Sequence, residues 1–526
     1  MLFKVVRNSK QIQDTPLPQF YLIEDDWNDW WEFETMYSLR YVNDKGHVEH
    51  IGSVKIGQHQ MKSGQKRPNL PQEFDVLDEM FFSLGQDVSY YESLNEFGED
   101  KREKILRALQ DMALSKEVYE RARSKRVTIQ SLLRNVSRAS VVGQYRRLAN
   151  GDAKLTSYEF QYIGPNYKDV DRLRLSFEVT PKSNPPTNIH ILIGRNAVGK
   201  THILNNMIDS LVLEKSSPSK NGFFKPVSED INRKDLFANV VSVSFSAFDP
   251  AEPQPERKNK SEGTPYSYIG LKQYKKPPKS PDNLKYDFAN SLHAITKSSK
   301  TTRWIKAVEM LSSDPIFHEA DVPSILKSHE DDEDILTDQD YKEQIEQESV
   351  EEKALKKRAQ MFFHRLSSGH KIVLLTLTRL VETVEERTLV LLDEPEAHLH
   401  PPLLSAFVRA LSDLLVRRNA VAIIATHSPV ILQEVPRSCV WKLHRRGIQQ
   451  SHSRTEIETF GESIGALTRE IFELEVTYSG FYKMLLDAVE HFDDYDDIVD
   501  DFNNELGMEA KAILRGLVAS SHQEEE

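Results

Sequence analysis

Cysteine is almost absent from this chain: Cys439 is the only one in 526 residues. An internal disulfide framework is therefore excluded, and a reducing, cytoplasmic setting is expected. The neighbours of Cys439 lean apolar, so a buried, inert thiol is expected rather than a reactive one. Long apolar runs are also missing. None approaches the ~18 residues of a membrane-spanning helix, so no membrane partner is expected. The first seven residues, from Met1 to Arg7, lack the apolar core of a secretory signal. No internal repeat is visible. The stretch 250–360 holds no sustained heptad pattern, which excludes a long coiled coil there. Positive charge is not in excess: the net charge is −13, which argues against indiscriminate nucleic-acid binding. What remains is an ordinary globular composition, 39% hydrophobic and 28% charged. The length suits about three domain-sized units, or one large α/β domain with insertions.

Charge is unevenly spread. Between Glu330 and Glu352 there are 12 acidic residues and one basic residue, a local charge of −11. Between Lys116 and Arg147 there are nine Lys or Arg and two Glu, a local charge of +7. The basic segment is a candidate for nucleic-acid contact, with Arg121, Arg123, Lys125, Arg126, Arg134 and Arg138 facing phosphates. The competing reading is a solvated face whose charges pair with the acidic insertion.

Hydropathy patterning divides the chain into five stretches. Residues 1–155 read as an N-terminal β-hairpin and helical region, with strands at 33–42 and 48–56 and helical spacing from about 73 onward. Trp27, Trp30 and Trp31 are expected to form a small aromatic core under the hairpin. Residues 156–250 read as a first α/β lobe and 251–360 as an insertion of loop, helices and acidic stretch. Within the insertion, 249–287 reads as a long irregular loop. Residues 361–445 alternate strand and helix, the mark of a parallel, helix-covered sheet, and 446–526 read as a helical C-terminal region.

Residues Gly194-Arg195-Asn196-Ala197-Val198-Gly199-Lys200-Thr201 follow an apolar strand, 189–193, and run into a helix. This is the strand–loop–helix context of a phosphate-binding P-loop. Its glycines let backbone N–H groups wrap phosphate oxygens, and the helix N-terminus adds positive potential. Lys200 is expected on the β- and γ-phosphates of ATP and the Thr201 hydroxyl on Mg²⁺. Further on, the apolar run 389–392 ends in Asp393-Glu394-Pro395. Asp393 is a second Mg²⁺ ligand candidate, and Glu394 is placed to polarise an attacking water. His427 ends another apolar run, where an imidazole can reach a γ-phosphate oxygen or that water. Ser367-Ser368-Gly369 precede a helix and expose N–H groups and hydroxyls to an anion.

In this order, these four segments resemble the motifs of ABC-type P-loop ATPases, over roughly residues 160–440. The run Asp393-Glu394-Pro395-Glu396-Ala397-His398-Leu399-His400-Pro401 resembles the non-transporter branch, which includes overcoming-lysogenization-defect nucleases and prokaryotic defence ATPases. The resemblance implies a parallel-sheet core and a site shared between two protomers. Ser367, Ser368 and Gly369 would then act in trans on ATP held by another copy, in a head-to-tail dimer or higher oligomer. Glu396 and Ala397 would lie at the same seam. The signature departs from the transporter form, Ser-Ser-Gly-His370 in place of Ser-Gly-Gly-Gln. No clear glutamine stands at the end of strand 237–245, where Gln254 is the nearest candidate. Tyr158, Tyr162 and Tyr167 are candidates for stacking on adenine.

More narrowly, 241–249, 266–271, the insertion and 460–463 resemble the ATPase subunit of Septu-type antiphage systems, stand-alone or attached to retrons. That resemblance implies a partner HNH nuclease and, in the retron form, a reverse transcriptase with its noncoding RNA/DNA. Two other functions compete. An ATP-dependent nuclease of the overcoming-lysogenization-defect type needs a further metal-binding domain, for which the 99 residues after His427 are too few; Asp494 and Asp496 are the acidic residues available there. A DNA-repair ABC ATPase needs the coiled coil that is missing.

Overall fold

The computed structural model describes the whole chain except residues 1, 13–17, 26–31, 44–45, 62–63, 135, 137, 152–154, 167–170, 214–215, 229–232, 234–235, 247–250, 258–263, 298–299, 328–349, 447–448, 478–479, 493 and 525–526. Trp27, Trp30, Trp31, Tyr167 and most of the acidic stretch thus lie outside the described residues.

The N-terminal region is more than a hairpin. Strands β1 (Phe3–Val6), β2 (Gln19–Glu24), β3 (Met36–Val42), β4 (Val48–Gln58), β5 (Glu73–Phe74) and β6 (Phe81–Gly85) form one sheet in the order β5-β1-β2-β3-β4-β6. Strands β1 and β2 run parallel, and the other pairs are antiparallel. The 74-77-81 spacing predicts a helix, but Phe74 and Phe81 sit on strands. Pairing with β1 and β4 overrides a three-residue apolar rhythm that is too short to specify a helix. The helical expectation holds from Val88–Glu96 onward, through Glu99–Ala108 and Lys116–Ala122. Sheet and helices share one core that runs from Phe3 to Ala149.

The second unit is built on a seven-stranded sheet. It contains β9 (Ile189–Ile193), β11 (Asn239–Ser244), β12 (Tyr266–Gly270), β13 (Thr388–Asp393), β14 (Val421–Thr426), β15 (Val440–Arg446) and β16 (Gln449–Ser453), in the order β12-β11-β13-β14-β9-β15-β16. All pairs are parallel except β15–β16. Alternate side chains enter opposite cores. Ile191, Val390, Leu392 and Ile424 join helices Pro281–Thr296, Ser368–Thr383 and Pro401–Arg418 on one face. Leu192, Leu389, Leu391 and Ile423 join helix Lys200–Val212 and a second, antiparallel sheet on the other. That second sheet comprises β7 (Tyr158–Ile163), β8 (Arg174–Val179) and β10 (Phe223–Pro226). Burial on both faces explains why the strands read as unbroken apolar runs.

One reading drawn from the sequence needs correction. The region 249–287 is not a structureless loop: it contains β12, the edge strand beside β11, and the start of helix Pro281–Thr296, closed by a capping box at Ser280 and Asn283. Proline- and lysine-rich flanks hid a five-residue strand. The helices of the stretch 251–360 pack on the core of this unit. Trp304 is fully buried and its Nε1 donates to Thr378 Oγ1 at 2.9 Å, so helix Thr301–Met310 packs on the helix that begins at the Ser-Ser-Gly motif.

Candidate functional site

In parallel sheets, ligands collect where the strands end at their carboxyl edge. Here register places Ser244 beside Asp393, Asp393 beside Ala425, and Thr426 beside Ile193. The P-loop, His427 and the Asp393-Glu394 pair therefore leave the sheet side by side from β9, β14 and β13.

The P-loop has the shape that phosphate binding requires. Gly199 adopts φ 96° at the mouth of helix Lys200–Val212, a left-handed conformation that suits glycine. Ala197 also has positive φ, 64°. Lys200 is buried, and its ammonium donates to the carbonyls of Gly194 at 2.9 Å and Arg195 at 3.1 Å. Burial lowers its pKa, while Glu394, Glu396 and Asp393 oppose that shift. Neutral carbonyls are weaker acceptors than phosphate oxygens, so this ammonium is ready to exchange partners. Asn196, Ala197, Gly199, Lys200 and Thr201 line one open cleft together with Glu394 and His427. Gly194, Arg195 and Val198 do not line it: Val198 is in the core, and Gly194 lies against the Leu443 carbonyl. The cleft also takes in His202, Asn205, Asp209 and Lys220, none of them singled out by the sequence.

The Thr201 hydroxyl donates to Asp393 Oδ2 at 2.9 Å and lies 3.1 Å from Oδ1. One hydroxyl and one carboxylate at that separation are a hard-oxygen donor set that fits Mg²⁺. Glu394 has φ 46° and ψ 57°, an unusual conformation for a residue preceding a proline. Its N–H is anchored on the Ala425 carbonyl at 2.9 Å, and the turn carries its side chain off the strand and into the cleft.

Sequence reading placed Glu396 at a dimer seam, but within the chain it has another task. Glu396 Oε1 accepts from Thr426 Oγ1 at 2.5 Å and from the His427 backbone N–H at 2.9 Å, and lies 3.2 Å from His427 Nδ1. Glu394 Oε1 is 3.8 Å from the same nitrogen. Two carboxylates facing Nδ1 put the ring hydrogen there and leave Nε2 at the ring's other edge. The signal for this role was present, an acid two residues past Glu394, but only the fold brings it to the end of β14.

Ser367 and Ser368 are exposed, whereas Gly369 is buried, and none of the three lines the P-loop cleft. A Cβ on Gly369 would meet the His398 carbonyl at 2.7 Å, so glycine is required for the helix start to approach the loop after β13. Ser367 Oγ lies 2.6 Å from His370 Nδ1, and His370 Nε2 lies 3.1 Å from Asp314 Oδ1. Asp314, His370 and His400 have donor atoms within 4.8 Å of one another. Hydrogen bonds already use these atoms. Asp314 Oδ1 accepts the N–H groups of Ile316 and Phe317, and His400 Nδ1 accepts that of Leu403, which leaves His400 Nε2 carrying its hydrogen rather than a free lone pair.

Several of the remaining candidates make contacts within the chain. Tyr158 is buried under the Arg387 guanidinium, and the buried Tyr162 donates to the Asn221 carbonyl, so neither is free to stack on a base. Gln254 donates to Asp209 Oδ1 at 3.0 Å. The basic segment is not a bare positive face. Arg121 pairs with Glu79, Arg123 with Glu120 and Arg126 with Glu32, while Arg147 pairs with the buried Glu386. Asp494 caps helix Tyr495–Asp501. Cys439 is buried, and burial pushes its thiol up to about 12.

Among the described residues no helix is long and apolar enough to cross a membrane. The strand order, the P-loop and the strand-end carboxylates give the chain a P-loop ATPase fold, which implies nucleotide binding. A family model described as "AAA domain, putative AbiEii toxin, Type IV TA system" matches residues 293–433. Among solved structures, a nucleotide-free ATP-binding cassette from an ABC transporter is 13% identical, with 61% of this chain and 99% of that one covered and a TM-score of 0.30. A second cassette, in an ADP conformation, is also 13% identical, with 58% and 92% covered and a TM-score of 0.29. Protein ea59 of Escherichia phage lambda is 39% identical over 523 residues, 98% of each chain. A likeness of that extent runs through the N-terminal sheet, the ATPase core and the C-terminal helices alike, and the chain belongs to the family of lambda Protein ea59.

Proposed function

We propose that this chain is an ATP-hydrolysing subunit that closes on nucleotide as a head-to-tail dimer, or a higher oligomer built from such pairs. One observation carries this reading: Lys200, Thr201, Glu394 and His427 share a cleft, while the exposed Ser367 and Ser368 stand outside it. A site of this composition holds the phosphates but is open on the side where a second set of donors is needed. Ser367 and Ser368, exposed at the start of helix Ser368–Thr383, are placed to supply those donors to another copy.

The geometry supports the following roles. Lys200 exchanges the Gly194 and Arg195 carbonyls for phosphate oxygens, and the P-loop N–H groups orient the triphosphate. Thr201 and Asp393 would hold Mg²⁺, which would supply positive charge to offset that of the phosphates. Glu394, turned into the cleft, takes a proton from the attacking water. His427, held through Nδ1 by Glu394 and Glu396, presents Nε2 to the phosphate.

The resemblance to Septu ATPases supports an antiviral role in which the nucleotide state restrains or directs a separate HNH nuclease, with a reverse transcriptase in a retron form. The position of Asp494 as a helix cap supports placing nuclease chemistry in a partner rather than in this chain. The test has two arms. Purified protein is assayed for Mg²⁺-dependent ATP hydrolysis and for ATP-driven association of the Glu394→Gln variant. Cells carrying the chain with its neighbouring genes are then challenged with phages. A monomer that hydrolyses ATP at full rate at every protein concentration sinks the shared-site reading. Undiminished plaque formation sinks the antiviral one.

A further inference from the structure

The strand order sets which way a bound nucleotide must point. Glu394 follows β13 and His427 follows β14, both on one side of β9, and β15 flanks β9 on the other. The γ-phosphate belongs against Glu394 and His427, where water attacks. The α-phosphate and the nucleoside therefore point the opposite way, across the P-loop toward β15.

Strand β15 is placed to meet them. It pairs with β9 as far as Lys442 beside Ile193, then continues to Arg446 after β9 has turned into the P-loop. The two segments run in close contact, since a Cβ on Gly194 would collide with the Leu443 carbonyl. Leu443 is buried in the core that holds Val198 and Ile203, on the face of the sheet that carries helix Lys200–Val212. Side chains alternate along a strand, so Arg445 emerges on that same face, beyond the core. It is exposed, and its Nη1 reaches across to donate to the Ala197 carbonyl at 3.4 Å. Ala197 in turn lines the P-loop cleft. A hydrogen bond of that length holds the guanidinium only weakly.

A nucleoside arriving here needs a flat partner. The buried Tyr158 and Tyr162 are committed to contacts within the chain and do not supply one. A guanidinium is planar and weakly hydrated, and it stacks well on aromatic faces. We propose that Arg445 is the nucleoside-binding residue of this site, its guanidinium plane stacking on the purine ring of a nucleotide whose phosphates lie in the P-loop. This rests on the nucleotide-binding reading of the cleft given above. Stacking uses the face of the ring and not its edge, so Arg445 holds adenine and guanine alike.

The experiment measures binding of ADP, GDP and inorganic diphosphate to the full chain by calorimetry, with Mg²⁺ present. These probes lack a γ-phosphate, so neither hydrolysis nor ATP-driven association enters the measurement. Arg445→Ala should weaken ADP and GDP binding by about three- to tenfold, the range for one cation–π contact, and leave diphosphate binding unchanged. Arg445→Tyr keeps a stacking plane but loses the charge and the Ala197 contact, and it should bind ADP within about twofold of wild type. Melting curves show that both variants fold. Equal losses for ADP and diphosphate would assign Arg445 to the phosphates or to bracing of the P-loop, and would overturn the inference alone. Unchanged ADP affinity in Arg445→Ala, or Arg445→Tyr as weak as Arg445→Ala, would do the same. A wild-type chain that does not bind ADP overturns the nucleotide-binding reading of the cleft and this inference with it.

Discussion

Glu396 holds His427 at two points: its Oε1 accepts the His427 backbone N–H at 2.9 Å and lies 3.2 Å from the ring Nδ1. The acid fixes both where β14 ends and which edge of the imidazole is left open. Glu396→Gln keeps the shape and the backbone contact but removes the charge beside Nδ1. The expected result is a fall in kcat of roughly tenfold, the size of one weakened hydrogen bond, with an unchanged melting temperature. Steady-state ATPase kinetics beside a melting curve check this, and equal kcat values would remove Glu396 from the site.

Glu394→Gln removes the proposed base while its backbone turn is kept. Hydrolysis should drop by about 10²–10⁴-fold, the range for a lost general base, and ATP-bound dimers should accumulate. Rapid turnover in this variant would assign the base elsewhere.

Lys200→Ala removes the ammonium that now rests on the Gly194 and Arg195 carbonyls. Nucleotide affinity should fall by about tenfold or more, since a charge-assisted contact to phosphate is lost. Equilibrium binding of an ATP analogue measures it, with circular dichroism to show that the fold persists.

Asp111 gives the N-terminal unit a pH dependence of its own. Burial raises its carboxyl to about 6, against the hydrogen bonds from Leu114, Tyr91 and Ala113. A raised acid binds more protons folded than unfolded, so its stabilising effect is full below the unfolded pKa of 3.8 and is lost as pH rises through about 6. Asp111→Asn should therefore gain on the order of 3 kcal/mol relative to wild type at pH 7, and the gap should close towards pH 4. Denaturant unfolding at several pH values is the check, and a gap that is constant with pH would reject the assignment.

Arg147 and Glu386 join the N-terminal unit to the ATPase, and the Glu386 side chain is only 1% exposed. Arg147→Ala strands a buried carboxylate and should cost about 3–5 kcal/mol. Adding Glu386→Leu should restore most of that loss. A double-mutant cycle measures the coupling, and simple additivity would show that the pair is not a unit.

Much of the site could be read locally. The P-loop occupies eight consecutive residues, and its glycine at 199, lysine at 200 and threonine at 201 need only a strand before them and a helix after them. Asp393, Glu394 and His427 each end an apolar run, and runs buried on both faces announce a parallel sheet. The edge strand Tyr266–Gly270 was not legible, because five residues between proline-rich flanks carry too weak a signal. The strands at Glu73–Phe74 and Phe81–Gly85 were misread because partners far along the chain decide their conformation.

The sequence by itself determined the chemistry within the P-loop cleft: which residue carries the ammonium, which the hydroxyl and which the carboxylates, since each motif is contiguous and its backbone geometry is local. Only the tertiary structure decided which distant side chains meet. It brought Glu396 to His427, Asp314 to His370 and Glu386 to Arg147, pairs separated by 31, 56 and 239 positions. Such pairs carry no local pattern, because a charged side chain finds its partner through the packing of helices and strands and not through its spacing along the chain.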